Sequence, residues 1–159
     1  MKIRLVTIYD CPHLDFVEYV QLTESFRFIT CPILTFQPER GAWPERWKVG
    51  RDMFYIRLFG VVPIGSQQIN ISNPSQGLAS DGSIVLRDDG HGTLMQRWDH
   101  WMTVNSYNIN QTCYVDEIEV SARFLAPLLT PLCGLFAFLF YAHRQRRWRK
   151  FIKHKKDSP

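Results

Sequence analysis

The chain opens on Lys2–Tyr9, where charged and apolar residues alternate, the period-two pattern of a strand with one buried face. Asp10-Cys11-Pro12 breaks it. Leu14, Phe16, Val17, Val20 and Gln21 then recur at helical spacing, and a second short helical segment around Glu24–Ile29 ends before Pro32. From Ile33 onward the pattern is strand and turn. Strands are predicted near Ile33–Gln37, Asp52–Phe59, Gly65–Ser72, Ser83–Arg87, Thr93–Val104 and Thr112–Val120. They are punctuated at 41–44, Pro63, Asn73-Pro74, Asp89-Gly90 and 105–110. Intervals this short favour antiparallel hairpins over crossover helices.

The last third changes character. No residue from Phe124 to Ala142 carries a charge, and a basic stretch follows. Thr130-Pro131 reads as an N-cap with proline at the first helical position, predicting a helix from there to about Lys153. An uncharged run followed by Arg and Lys is also what a transmembrane span looks like. Pro127, Thr130 and Pro131 shorten the helical part of that run, however. One apolar stripe (Cys133, Ala137, Phe140, Tyr141, Trp148, Phe151, Ile152) also continues through the basic stretch. A helix lying along a sheet needs that stripe, whereas an anchor does not. Leu132, Leu135, Phe136 and Leu139 form a second apolar face, which must be covered by something else, such as a cavity, the short helices or a partner.

At 159 residues the chain is one domain, placed at 1–153 with a basic tail at 154–159. Aromatic residues at 14% suit a roomy interior, since rings cover large areas with few rotatable bonds. The net charge of +4 belongs to one end: eight basic residues lie from Arg144 to Lys156 and Asp157 follows, leaving eleven basic against fourteen acidic residues before them. Those basic residues solvate a helix end and complement its dipole. Nucleic acid is not an expected partner, and weak contact of the tail with an anionic membrane is the remaining use for them. Cys11, Cys31, Cys113 and Cys133 show no paired spacing, and the N-terminus has no apolar run of a secretory signal, so a cytoplasmic protein with free thiols is expected. No phosphate-binding glycine loop, nucleophile elbow or HExxH occurs, and no cofactor is expected.

The order strand, two short helices, six strands and long C-terminal helix resembles the α+β helix-grip arrangement of the START-like (SRPBCC, polyketide cyclase-like) superfamily. Particular segments carry the resemblance further. Pro44-Glu45-Arg46-Trp47, Leu86 to Gly92, Arg97-Trp98-Asp99-His100 and Phe140 to Trp148 look like stretches of bacterial SRPBCC proteins of unassigned function. A Trp-x-His strand ahead of a strand with Thr-x-x-x-Asp, here Thr112 to Asp116, also resembles these proteins. The resemblance implies a curved antiparallel sheet of about seven strands around the long helix, with a cavity between them. It implies little about chemistry, because the superfamily includes carriers, receptors, cyclases and orphans.

Strand alternation puts Trp98, His100, Met102 and Val104 on one face, and Tyr114, Asp116, Ile118 and Val120 on the apolar face of the last strand. His100 and Asp116 are the sharpest pair. A carboxylate beside an imidazole can fix its tautomer and raise its basicity, or the two can simply satisfy each other as buried polar groups. Asp88, Asp89 and His91 have metal-ligand chemistry, but Asp-Asp-Gly-His-Gly is also what a tight hairpin turn requires, and turn is the reading adopted, with no metal expected. Trp43 and Trp47 flank Pro44 as a lid on the cavity mouth or a cover for one end of the core.

The candidate ligand contacts are therefore Trp43, Trp47, Trp98, His100, Met102, Tyr114, Asp116, Ile118, Leu132, Leu135, Phe136 and Leu139. The expected function is non-catalytic binding or transport of a small hydrophobic ligand (lipid, polyketide or isoprenoid-like) in an internal cavity. The alternatives are a cyclase or dehydratase using His100 and Asp116 as acid and base, and a membrane-associated protein held by its C-terminal apolar segment.

Overall fold

A computed structural model describes residues 1–74 and 83–157. Strand β1 (Lys2–Tyr9) leads into helices α1 (His13–Gln21) and α2 (Thr23–Thr30). A meander follows: β2 (Leu34–Pro38), β3 (Gly50–Leu58), β4 (Val62–Ser72), β5 (Ile84–Gly92), β6 (Met95–Asn108) and β7 (Gln111–Ala122). Helix α3 (Ala126–Asp157) closes the chain. The seven strands form one sheet in the order β1-β7-β6-β5-β4-β3-β2, every pair antiparallel. The two short helices carry the chain from one edge of the sheet to the other.

The elements follow from local chemistry. Helices α1 and α2 are separated by Leu22, whose φ of −78° and ψ of 133° are extended. The Ser25 hydroxyl donates to the carbonyls of Tyr19 and Leu22 at 2.6 and 2.7 Å, satisfying acceptors that the break exposes. Phe59 and Gly60, with φ of 52° and 75°, supply the two positive φ values that a tight β3–β4 hairpin takes.

Helix α3 spans 32 residues, about 48 Å at 1.5 Å per residue. It buries Ala137, Phe140, Tyr141, Trp148, Phe151 and Ile152 against sheet and short helices. The helix is long and apolar enough to cross a membrane, with an 18-residue window of mean hydropathy 1.5. Its continuous buried stripe makes it the grip helix of the fold.

Three expectations about boundaries are corrected. The helix starts at Ala126, so Pro127 takes the early position where a missing N–H costs nothing, and Pro131 lies inside the helix. Thr130 does not cap: its hydroxyl accepts from the backbone N–H of Ala122 at the end of β7, 3.2 Å away. At the other end the helix reaches Asp157, and Lys155 and Lys156 bind Glu24 (2.9 Å) and the Asp10 carbonyl (2.7 Å), so the basic end is packed on the body.

The third correction concerns Asp88 to Gly92, which forms strand β5 and not a turn. Its glycines serve close approach. A Cβ at Gly90 would stand 2.6 Å from the Gln68 carbonyl oxygen, and one at Gly92 would collide with the Ser66 carbonyl oxygen. The turn lies at Thr93–Leu94, where the Thr93 N–H donates to the Ser66 carbonyl at 2.9 Å.

Two core clusters flank the middle of the fold. One joins Tyr9, Phe16, Val104, Tyr114, Trp148 and Phe151; the other joins Ile3, Leu34, Ile56, Ile118, Phe140 and Tyr141.

Candidate functional site

Between the clusters lies a cavity of about 280 Å³. Its floor is the concave face of β3–β6: Ile56 from β3, Gln67, Ile69 and Ile71 from β4, Leu86 and Asp88 from β5, and Trp98, His100 and Met102 from β6. Helix α3 supplies Phe136, Phe140, Tyr141, Arg144 and Trp148, and α2 supplies Ser25, Phe26 and Ile29. Alternation along each strand puts these side chains on one face, and the β6 assignment follows the sequence pattern directly.

Of the expected contacts, Trp47, Trp98, His100, Met102, Tyr114 and Phe136 line the cavity. Asp116 and Ile118 do not. They face inward on β7, but α3 runs over β7 and β1, as the 2.6 Å bond from Thr7 to the Gln145 side chain shows, so the helix covers them. Leu132, Leu135 and Leu139 are 61%, 55% and 56% exposed, so they are not cavity wall. The cavity lies on one flank of the buried stripe, leaving the opposite helix face to solvent.

The loop between β2 and β3 is tied down where α1 meets α2. The Trp47 N–H donates to the Gln21 carbonyl at 2.9 Å, and the Thr23 hydroxyl to the Pro44 carbonyl. Trp47 thereby reaches the wall, with its ring centroid 5.2 Å from that of Phe26. Trp43 stands behind it on Phe54, centroids 4.9 Å apart, and is not in the lining. Trp47 is therefore part of the cavity lining, and Trp43 packs behind it.

The polar chemistry centres on His100. Its Nε2 lies 2.7 Å from Asp116 Oδ1, and the Gln145 amide donates to Asp116 Oδ2 at 2.9 Å. Burial alone would raise the Asp116 carboxyl, but the hydrogen bond and charge of His100, the Arg144 charge and the Gln145 bond hold it below the ordinary carboxylate value. Burial pushes the His100 imidazole below its ordinary value, against the opposing pull of Asp116. An ionised Asp116 can only accept, so neutral His100 donates through Nε2 and keeps a lone pair on Nδ1. The Tyr141 ring packs on the imidazole with centroids 4.6 Å apart, and its hydroxyl accepts from Trp98 Nε1 at 3.0 Å.

Two charged cavity residues went unread in the sequence. Arg144 was counted with the solvated basic stretch, yet it is 5% exposed. Its guanidinium carbon lies 4.6 Å from the Tyr141 ring centroid and 5.8 Å from that of Phe140. The signal was present: Arg144 and Gln145 occupy the stripe positions one turn after Phe140 and Tyr141 and one turn before Trp148. Asp88 was hidden by the turn reading. It shares its strand face with Ile84 and Leu86, and its Oδ1 accepts from the Asn70 N–H at 2.8 Å. Burial pushes its carboxyl up to about 7, the Asn70 bond and Arg144 offsetting part of that shift. Among the described residues no three His, Cys, Asp or Glu side chains converge as a metal-holding group.

The architecture is shared with solved structures at very low identity. A START superfamily protein from Mycobacterium smegmatis matches with a TM-score of 0.69 at 9% identity, over 96% of this chain and 97% of that one. Norcoclaurine synthase from Thalictrum flavum matches at 0.66 and 6%, over 99% and 89%. The Zhui aromatase/cyclase from Streptomyces sp. R1128 matches at 0.59 and 8%, over 98% and 92%. At such identities the likeness shows the fold, a START-like helix grip, and not a shared chemistry. No curated protein matches the sequence. Residues 32–152, from the approach to β2 through most of α3, match the family described as "Domain of unknown function (DUF8410)", and the chain belongs to that family, carried on a START-like helix-grip fold.

Proposed function

We propose that this protein binds a small hydrophobic molecule, lipid, polyketide or isoprenoid-like, in the cavity between the sheet and α3, without transforming it. The observation that carries this reading is the 280 Å³ cavity, walled mainly by Ile, Leu, Phe, Trp and Met side chains. That volume is at the small end of ligand pockets. Burying about 200 Å² of apolar ligand surface would contribute about 5 kcal/mol before the costs of association. Mass spectrometry under native conditions tests the reading: the purified protein carries or takes up an apolar compound, and loses it when Met102→Trp fills the cavity. A protein that takes up no apolar compound at millimolar concentration contradicts it. A cytoplasmic location goes with this reading, and recovery in the soluble fraction without detergent checks it against membrane association.

A second reading, acid–base catalysis of the cyclase or dehydratase type, is favoured by one feature. His100, oriented by Asp116 at 2.7 Å, lines the same cavity as Asp88, whose carboxyl burial pushes up to about 7. Hydrogen–deuterium exchange at the α-carbon of 2-acetylnaphthalene, followed by NMR, separates the readings. Catalysed exchange that disappears in His100→Ala supports chemistry; exchange at the buffer rate supports binding alone.

A further inference from the structure

Among the described residues, three buried donors of the cavity-lining side chains have no hydrogen-bond partner: Arg144 Nε, Gln67 Nε2 and Trp148 Nε1. All three residues line the cavity, and none is more than 8% exposed. These atoms can only donate. Native interiors leave few such groups unpaired, so three on one cavity need a common explanation.

Asp116 takes the bonds from His100 and Gln145, and Asp88 Oδ1 takes that from the Asn70 N–H. Arg144 is the sharpest case. A guanidinium stays charged at any physiological pH, yet among the described residues this one makes no ion pair within 4 Å; it packs on the faces of Tyr141, Phe140 and Phe26, and Asp116 and Asp88 act on it only at longer range. Burying a charge this way is unfavourable unless something completes it.

We infer that the hydrophobic ligand carries a carboxylate, which Arg144 binds while its apolar body lies along the isoleucines of β3 and β4. The inference rests on the binding function proposed above. The carboxylate supplies acceptor lone pairs to these donors, and a bidentate fork on Arg144 fixes its orientation.

The test uses 1-N-phenylnaphthylamine, an uncharged dye that brightens in apolar sites, and its displacement at pH 7 by decanoate, decanol and decylamine. Wild-type protein is expected to bind the dye and to prefer decanoate over decanol by about tenfold to a hundredfold, with decylamine weakest. In Arg144→Met the decanoate-to-decanol ratio falls to about one, and Arg144→Lys retains part of it. A wild-type protein that binds the dye but ranks the three compounds alike overturns the inference and leaves the binding function standing. A ratio unchanged in Arg144→Met overturns it too. If wild-type protein takes up neither the dye nor any of the ten-carbon compounds, the binding function itself fails and the inference with it. Should Arg144→Met not fold, the wild-type ranking and the lysine variant still decide.

Discussion

Asp88→Asn should stabilise the protein, and the gain should grow with pH. The Asp88 carboxyl lies in the cavity wall with its Oδ1 bonded to the Asn70 N–H, and burial raises its pKa from 3.8 to about 7. A carboxyl whose folded pKa lies above its unfolded one stabilises the fold fully below the unfolded pKa. That contribution is lost as pH rises through the folded pKa. Here the window runs from about pH 4 to about pH 7. At roughly 1.4 kcal/mol per unit the whole loss is about 4 kcal/mol, of which about 3 kcal/mol falls between pH 5 and pH 8. Asparagine keeps the acceptor for Asn70 and does not titrate. Urea unfolding of both proteins at pH 5, 6, 7 and 8 isolates this residue, because His100, Asp116 and every other group titrate in both and cancel in the difference. The variant's advantage should widen by about 3 kcal/mol from pH 5 to pH 8 and then level off. A difference constant to within about 0.5 kcal/mol over that range would refute the claim that Asp88 is charged at a cost inside the cavity.

Three further outcomes follow from the packing. Asp116→Ala leaves the His100 Nε2–H and the Gln145 amide without their shared acceptor and should cost about 3–5 kcal/mol in urea unfolding, whereas a loss under 1 kcal/mol would mean the pair is solvated. Gly90→Ala puts a methyl against the Gln68 carbonyl oxygen, a backbone atom that cannot swing aside, and should destabilise by about 1–3 kcal/mol; a melting temperature matching wild type would contradict the close approach of β4 and β5. Leu135→Ser, on the exposed face of α3, should change stability by no more than about 0.5 kcal/mol, while Phe140→Ala, 3% exposed, should cost about 3–5 kcal/mol, and the reverse ranking would mean the helix is turned the other way.

Period was enough for the order of the elements, while the sheet wrapped on a long helix came from the resemblance. Alternation in Lys2–Tyr9 and in the later strands, helical spacing in Phe16, Val17 and Val20, and the stripe from Ala137 to Ile152 each report a local geometry that the chain adopts wherever it packs. The same alternation turned Trp98, His100 and Met102 together into the interior, and the β6–β7 register, which alternation does not specify, brought Asp116 within reach of His100. What periodicity cannot carry is where one element lies across another. Leu132, Leu135 and Leu139 have the composition of a cavity wall, but α3 crosses β7 and β1 at an offset that turns them to solvent and covers Asp116 and Ile118. Arg144 and Asp88 show the converse. Charge and glycine neighbours give them the look of surface and turn, while tertiary packing buries Arg144, half-buries Asp88 and sets both in one apolar cavity. A sequence pattern records which side chains share a face. Only the relative placement of the faces determines whether a charged group meets solvent, a partner, or the space where a ligand would lie.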